Sequence, residues 1–160
     1  MFKKILIVLL VILVIIQFIR PGRNISAAVS PNDISHKYHV PETVQSILKT
    51  SCNDCHSNNT VYPWYANVQP VAWWLQHHVN EGKSELDFSE FLTYSPKKAH
   101  HKMEEVIEMV KEGEMPLNSY LWVHKDAKLS ADQKKMLTDW ADGIMKEIAV
   151  ANNLKPEEKK

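Results

Sequence analysis

The chain has 160 residues, 19 basic and 19 acidic, with a formal net charge of zero. That length suits one domain with one core. The first 23 residues hold Lys3, Lys4, Arg20 and Arg23 and no acid, leaving 15 basic against 19 acidic residues beyond them. No basic stripe appears, so nucleic acid is not an expected partner. Only four glycines among long runs of helix formers exclude a β-rich fold.

In chain order, the first element is apolar. Ile5 to Ile19, "ILIVLLVILVIIQFI", has Gln17 as its only polar residue. About 15 such residues fall short of the roughly 20 that usually cross a bilayer. One reading is a cleaved secretory signal with Ser26 to Ala28, "SAA", as the cleavage site. The other, favoured by the long gap and by Arg20 within it, is a retained signal-anchor helix stopped by Arg20 and Pro21. Residues 1–20 are therefore expected as a signal-anchor or signal peptide, 21–40 as an extended tether, 41–150 as the folded domain, and 151–160 as a charged tail.

The domain reads as all-α. A first helix starts near Pro41 with Val44, Ile47 and Leu48 on one face. A loop holding Pro63 follows residues 50–60. Pro70 opens a second helix, which Gly82 is expected to end. Residues 84–94 suggest a short helical turn. Ser95 caps a long helix with Pro96 at its first position; Ala99, Met103, Val106, Ile107 and Val110 form its stripe, and Gly113 closes it. Residues 114–128 read as a loop. Ser130 and Gln133 make a capping box for the last helix, whose buried side is Leu137, Trp140, Ala141, Ile144 and Ile148. That is about four helices with two long loops, and long loops are uncommon unless functional.

The chemistry concentrates in "TSCNDCHSNNT". Cys52 and Cys55 are the only cysteines, and His56 follows directly. Positions i, i+3 and i+4 share one face of a helical turn. Two thiols on one face can each add to a haem vinyl group, with the imidazole under the iron; C-x-x-C-H is the c-type attachment pattern. A structural zinc site would need further ligands, and no second Cys/His pair has suitable spacing. A thioredoxin-type dithiol expects a βαβ setting. Coincidence is the remaining reading. Use of both cysteines, the export segment upstream and the helical setting favour covalent haem.

Over "CNDCHSNNTVYPWYANVQPVAWWLQHHVNEGKSELDFSEF" and "EGEMPLNSYLWVHKDAKLS" the sequence resembles the membrane-anchored, c-type-cytochrome-like haem-binding domain proteins of bacteria, covering most of residues 41–148. The resemblance implies a cytochrome c-like bundle around one covalent haem c, exported to the periplasmic side of the inner membrane. His56 is the expected proximal ligand. Met115, after a helix stop and before Pro116, resembles the distal ligand of small class I cytochromes c. His77, His78, His100, His101 and His124 are its rivals, and an open iron site is a further alternative. Met103, Met136 and Met145 lie in helices and are expected as core filler. Tyr62 or Trp64 is expected at the haem edge, and one each of Trp73/Trp74 and His77/His78 on an inner face of the second helix.

Histidine–methionine ligation fills both axial positions and favours ferrous iron, so the expected role is single-electron transfer with redox proteins at the membrane, not bond chemistry. A haem sensor or peroxidase-like enzyme with an open distal site is the alternative. A structural or binding module is the third reading, if no haem is attached.

Overall fold

The computed structural model describes residues 1–154. Among them are seven α-helices and four short 3-10 turns; the only bridge is an isolated one between Ile25 and Asn59. The helices are α1 (Phe2–Ile16), α2 (Glu42–Ser51), α3 (Asn53–His56), α4 (Val71–Glu85), α5 (Pro96–Glu112), α6 (Asn118–Leu121) and α7 (Ala131–Asn152). The all-α expectation holds, with α2, α4, α5 and α7 as the long helices of the domain.

Local chemistry sets the two longest of these. The Ser95 hydroxyl accepts from Lys98 N, Pro96 stands at the start of α5, and Gly113 at φ 82° ends it in the left-handed region. In α7, Ser130 and Gln133 satisfy each other's backbone in a capping box. The two helices pack along each other. Met103, Leu137, Ala141, Ile144 and Ile148 are buried between the elements, as their spacing predicts. Val44, Ile47 and Leu48 of α2 join this core, as does Phe91 from the turn at Phe88–Thr93. Trp140 is buried with its indole N–H donating to His39 O at 3.1 Å. Met136, expected as core filler, is exposed, whereas Met145 packs against the core.

The N-terminal expectation changes. No helix among the described residues is long and apolar enough to cross a membrane. The apolar run forms α1, but the helix stops at Ile16. There Gln17 turns its side chain back to Leu13 O and across to Gln69, and the chain continues in tight turns to Ile19.

Residues 21–40, expected as an extended tether, lie along the domain. Asn24 bonds Ser57 O, Thr60 Oγ1 and Tyr62 Oη, and accepts from Lys83 Nζ. Ile34 and Tyr38 are buried in the core, and Leu92 N donates to Asn32 O. Of the charged tail, residues 151–154 finish α7 and its left-handed cap at Asn153; the rest lies outside the described residues.

Candidate haem site

The motif is a tight turn at the end of α2. Cys52 closes α2, its N–H donating to Leu48 O at 2.9 Å. Its carbonyl then accepts from both Cys55 N, at 3.1 Å, and His56 N, at 3.0 Å. One carbonyl thus winds α3 and carries Cys55 and His56 round to the same side as Cys52. Both thiols are free and half-buried. Burial, with Cys55 beside it, pushes the Cys52 thiol up to about 12. Burial, with Asp54 beside it, pushes Cys55 up to about 11. Both are neutral thiols at pH 7, the reverse of the low-pKa thiolate a dithiol oxidoreductase relies on.

His56 is oriented by the backbone of another element. Its Nδ1 lies 2.9 Å from Leu86 O, just beyond α4. A carbonyl only accepts, so Nδ1 carries the proton and Nε2 is left with its lone pair for a ligand. That is the outer-sphere arrangement that fixes ligating imidazoles in metal sites. The Phe88 ring meets the imidazole edge-on at 6.4 Å. Burial lowers the His56 pKa, so the ring is neutral at pH 7, the form that binds metal.

Gly82 makes this approach possible. The helix α4 does not end there, as the sequence led us to expect, but runs on to Glu85. A Cβ at position 82 would meet the Cys55 carbonyl oxygen at 2.8 Å and its Cβ at 2.9 Å. The bare glycine lets α4 press against α3 and bring Leu86 over His56. Replacing Gly82 by Ala would ordinarily help a helix by about 1 kcal/mol. Here backbone stands in the way, and a net loss of about 1–3 kcal/mol is expected, read as a fall in thermal midpoint and in haem content.

The segment after α5 folds over the other side of the motif. Ser51 Oγ donates to Ala127 O at 3.0 Å. Tyr120 Oη donates to Asp54 Oδ2 at 2.8 Å, while Asp54 Oδ1 accepts from Val61 N at 2.8 Å. Burial and the Asp54 carboxylate push the Tyr120 hydroxyl pKa upward. Its ring stacks on His124 at 4.0 Å and 13°. Tyr120→Phe leaves Asp54 Oδ2 without its donor; a loss of about 1–2 kcal/mol in unfolding free energy is expected by denaturant titration.

Met115 opens this segment. Its N–H donates to Met109 O at 3.2 Å, so its backbone is held to the end of α5, and its side chain is half-buried. His124 is the rival histidine whose stacking partner bonds the motif. His77 pairs with Glu81 and His101 with Glu104 and Glu105, both on exposed faces. His78 lies against Trp74 with ring centres 4.5 Å apart and the planes tilted by 53°.

The aromatic expectations fare differently. Tyr62 is half-buried, its hydroxyl donating to Gln76 Oε1 and accepting from Asn24 N, with the Arg23 guanidinium over its ring. Trp64 is 79% exposed and edge-on to Tyr65. The inner face of α4 is Ala72, Gln76 and Val79, so none of Trp73, Trp74, His77 or His78 is on it. Sequence reasoning passed over Asp54, Leu86 and Tyr120, and read Gly82 only as a helix stop. Only the acidic x-position of the motif, Asp54, carried any local signal.

The donor set fits haem: one imidazole whose Nδ1 is tied to Leu86 O, which leaves Nε2 to ligate, and two unpaired cysteines on one turn. Among the described residues no group of three or more His, Cys, Asp or Glu side chains is placed to hold a metal ion without such a group. A family model described as a haem-binding domain matches residues 11–143. No curated protein and no solved structure matches. Because the family match spans most of the chain, this protein belongs to the haem-binding domain family, and haem is the cofactor it is built for.

Proposed function

We propose that the domain holds one haem c through thioether bonds from Cys52 and Cys55, with His56 and Met115 as axial ligands, and that it carries single electrons. The observation that carries this reading is His56: its Nδ1 is tied to Leu86 O, which leaves Nε2 as the ligating nitrogen, on the same short turn as two unpaired cysteines. Bound haem supplies a one-electron ferric–ferrous couple; methionine ligation raises its potential and leaves no easy place for substrate. The chain's own part is to attach the group, fix the imidazole tautomer and exclude water.

The domain is read as extracytoplasmic and membrane-bound through α1, with membrane redox proteins as partners. Asn24 and Ile25 support retention of the N-terminus. Cleavage after Ala28 would remove the Asn24 side chain that joins Ser57, Thr60 and Lys83, the Asn24 N–H that donates to Tyr62, and the bridge between Ile25 and Asn59. Protein from a host competent in cytochrome c maturation tests the whole reading. Haem is expected to stay with the band on a denaturing gel, and the oxidised spectrum to be low-spin with a weak far-red sulfur-to-iron band. A colourless band would end the covalent reading. A high-spin protein that binds carbon monoxide at once would replace the carrier with a sensor or peroxidase-like site.

A further inference from the structure

The junction between α1 and the domain is built, not loose. Gln17 and Gln69 exchange two hydrogen bonds, Gln69 N to Gln17 Oε1 at 3.0 Å and Gln17 Nε2 to Gln69 O at 3.3 Å. The Ile19 carbonyl accepts from Gln69 Nε2 at 2.9 Å and from the Trp73 indole N–H at 3.0 Å. Arg23 donates to Asn67 Oδ1 at 2.6 Å. Gln69 is buried, so these bonds act away from competing water. The start of α4 and the turn before it are thereby fixed to the end of α1.

What surrounds that junction is apolar and open. Phe18, Ile19, Trp64, Val68, Val71 and Trp74 are all exposed, as is every apolar side chain of α1 from Phe2 to Ile15. All 19 acidic residues of the chain lie within 33–54 and 81–160. The two segments meeting here, 1–32 and 55–80, hold none, and their Lys/Arg charges are Lys3, Lys4, Arg20 and Arg23. Exposed apolar side chains on segments that carry no carboxylate of their own, with basic residues and indoles among them, have the chemistry of the zone where anionic headgroups meet acyl chains; Asp54, which reaches this turn at Val61 and Tyr65, is engaged by Val61 N and the Tyr120 hydroxyl.

Length supplies the second argument. Fifteen helical residues measure about 22 Å, against a hydrocarbon thickness of about 30 Å. A short apolar helix draws whatever flanks it toward the lipid. Here the flank cannot stay away on a tether, because Gln69 and Trp73 hold it to the end of the helix.

We infer that the first turn of α4 and the turn before it, through Trp64, Val68, Val71 and Trp74, sit in the interfacial zone of an anionic bilayer, so that α1 and this collar form one lipid-binding surface and the haem domain lies down on the membrane in a fixed orientation. The inference rests on the reading of α1 as a membrane-binding helix and goes beyond it. An orientation fixed in this way presents one edge of the haem domain to membrane partners.

Hydroxyl-radical footprinting of the full-length holoprotein in phosphatidylethanolamine–phosphatidylglycerol vesicles tests it, with buried Trp140 as the internal reference for a protected indole. The expected result is that Trp64 and Trp74 label as slowly as Trp140, although both are exposed in the protein alone. Protection should survive progressive dilution with lipid. Protection lost on dilution would mean that a second copy covers the collar, and overturns the lipid assignment. Rapid labelling of Trp64 while the protein still floats with the vesicles overturns the collar and leaves the α1 reading standing. Failure to float with vesicles overturns the α1 reading and the collar with it.

Discussion

Replacing Cys52 and Cys55 together by alanine is expected to abolish acid–acetone-resistant haem, leaving no haem-stained band on a denaturing gel. Each single replacement should keep a reduced fraction, since one thioether still forms. The geometry gives the reason for the difference. The Cys52 carbonyl accepts from Cys55 N and His56 N, and these are backbone bonds that alanine preserves. The turn therefore survives in all three variants, with His56 still oriented by Leu86 O. What the site loses is the proposed covalent attachment, so the double variant should still take up haem reversibly at His56, with a Soret band that washes out. A double variant that retained haem through denaturation would show attachment elsewhere. A variant unable to bind haem at all would mean that the thiols contribute to the turn as well as to the cofactor. Cys52 also packs against the core, and shortening it by its sulfur should cost roughly 1 kcal/mol of stability.

How much of this was legible beforehand depended on whether the signal was local. Caps and stripes are local. Ser95–Pro96, Gly113, and the Ser130–Gln133 box each act within four residues, and all stand where the sequence put them. Glycine 82 is the counter-example. Read locally it stops a helix; in the fold it admits the Cys55 backbone, a contact 27 residues distant in sequence that no periodicity reports. The segment from 21 to 40 misled in the same way. Its Pro, Asn and Ser content reads as a tether, yet Ile34 and Tyr38 enter the core and the Asn24 side chain reaches Ser57 and Lys83. The face of α4 inverted a hydrophobicity rule. Two tryptophans stay outside while Gln76 is buried, because its amide group is matched by the Tyr62 hydroxyl and Asn80 Oδ1. The C-x-x-C-H turn itself was legible because its three groups lie within five residues. The carbonyl that orients its histidine comes from position 86 and was not legible.

Replacing Met115 by alanine is expected to change the iron more than the fold. Met115 is half-buried at the start of a segment already anchored by Tyr120–Asp54 and by Ser51–Ala127. Neither anchor uses its side chain, so the thermal midpoint of the apoprotein should move little. In the proposed holoprotein the variant loses a soft ligand that prefers ferrous iron. Each tenfold of that preference is worth about 59 mV in a one-electron couple. A fall on the order of 0.1–0.3 V is expected within the roughly 0.8 V range that axial ligation spans. The far-red band should vanish, the ferric form should turn high-spin, and carbon monoxide should bind the ferrous form where it did not before. Parallel alanine variants at His77, His78 and His124 separate the rivals. The first two lie on the outer side of α4, and their loss should leave spin state and potential unchanged. His124 is the discriminating control, because it stacks on the tyrosine that bonds Asp54 inside the motif. If His124→Ala turns the iron high-spin while Met115→Ala leaves the spectrum intact, ligation moves to His124. The potential of the native protein should then sit lower than methionine ligation allows, since imidazole stabilises ferric iron better than a thioether does.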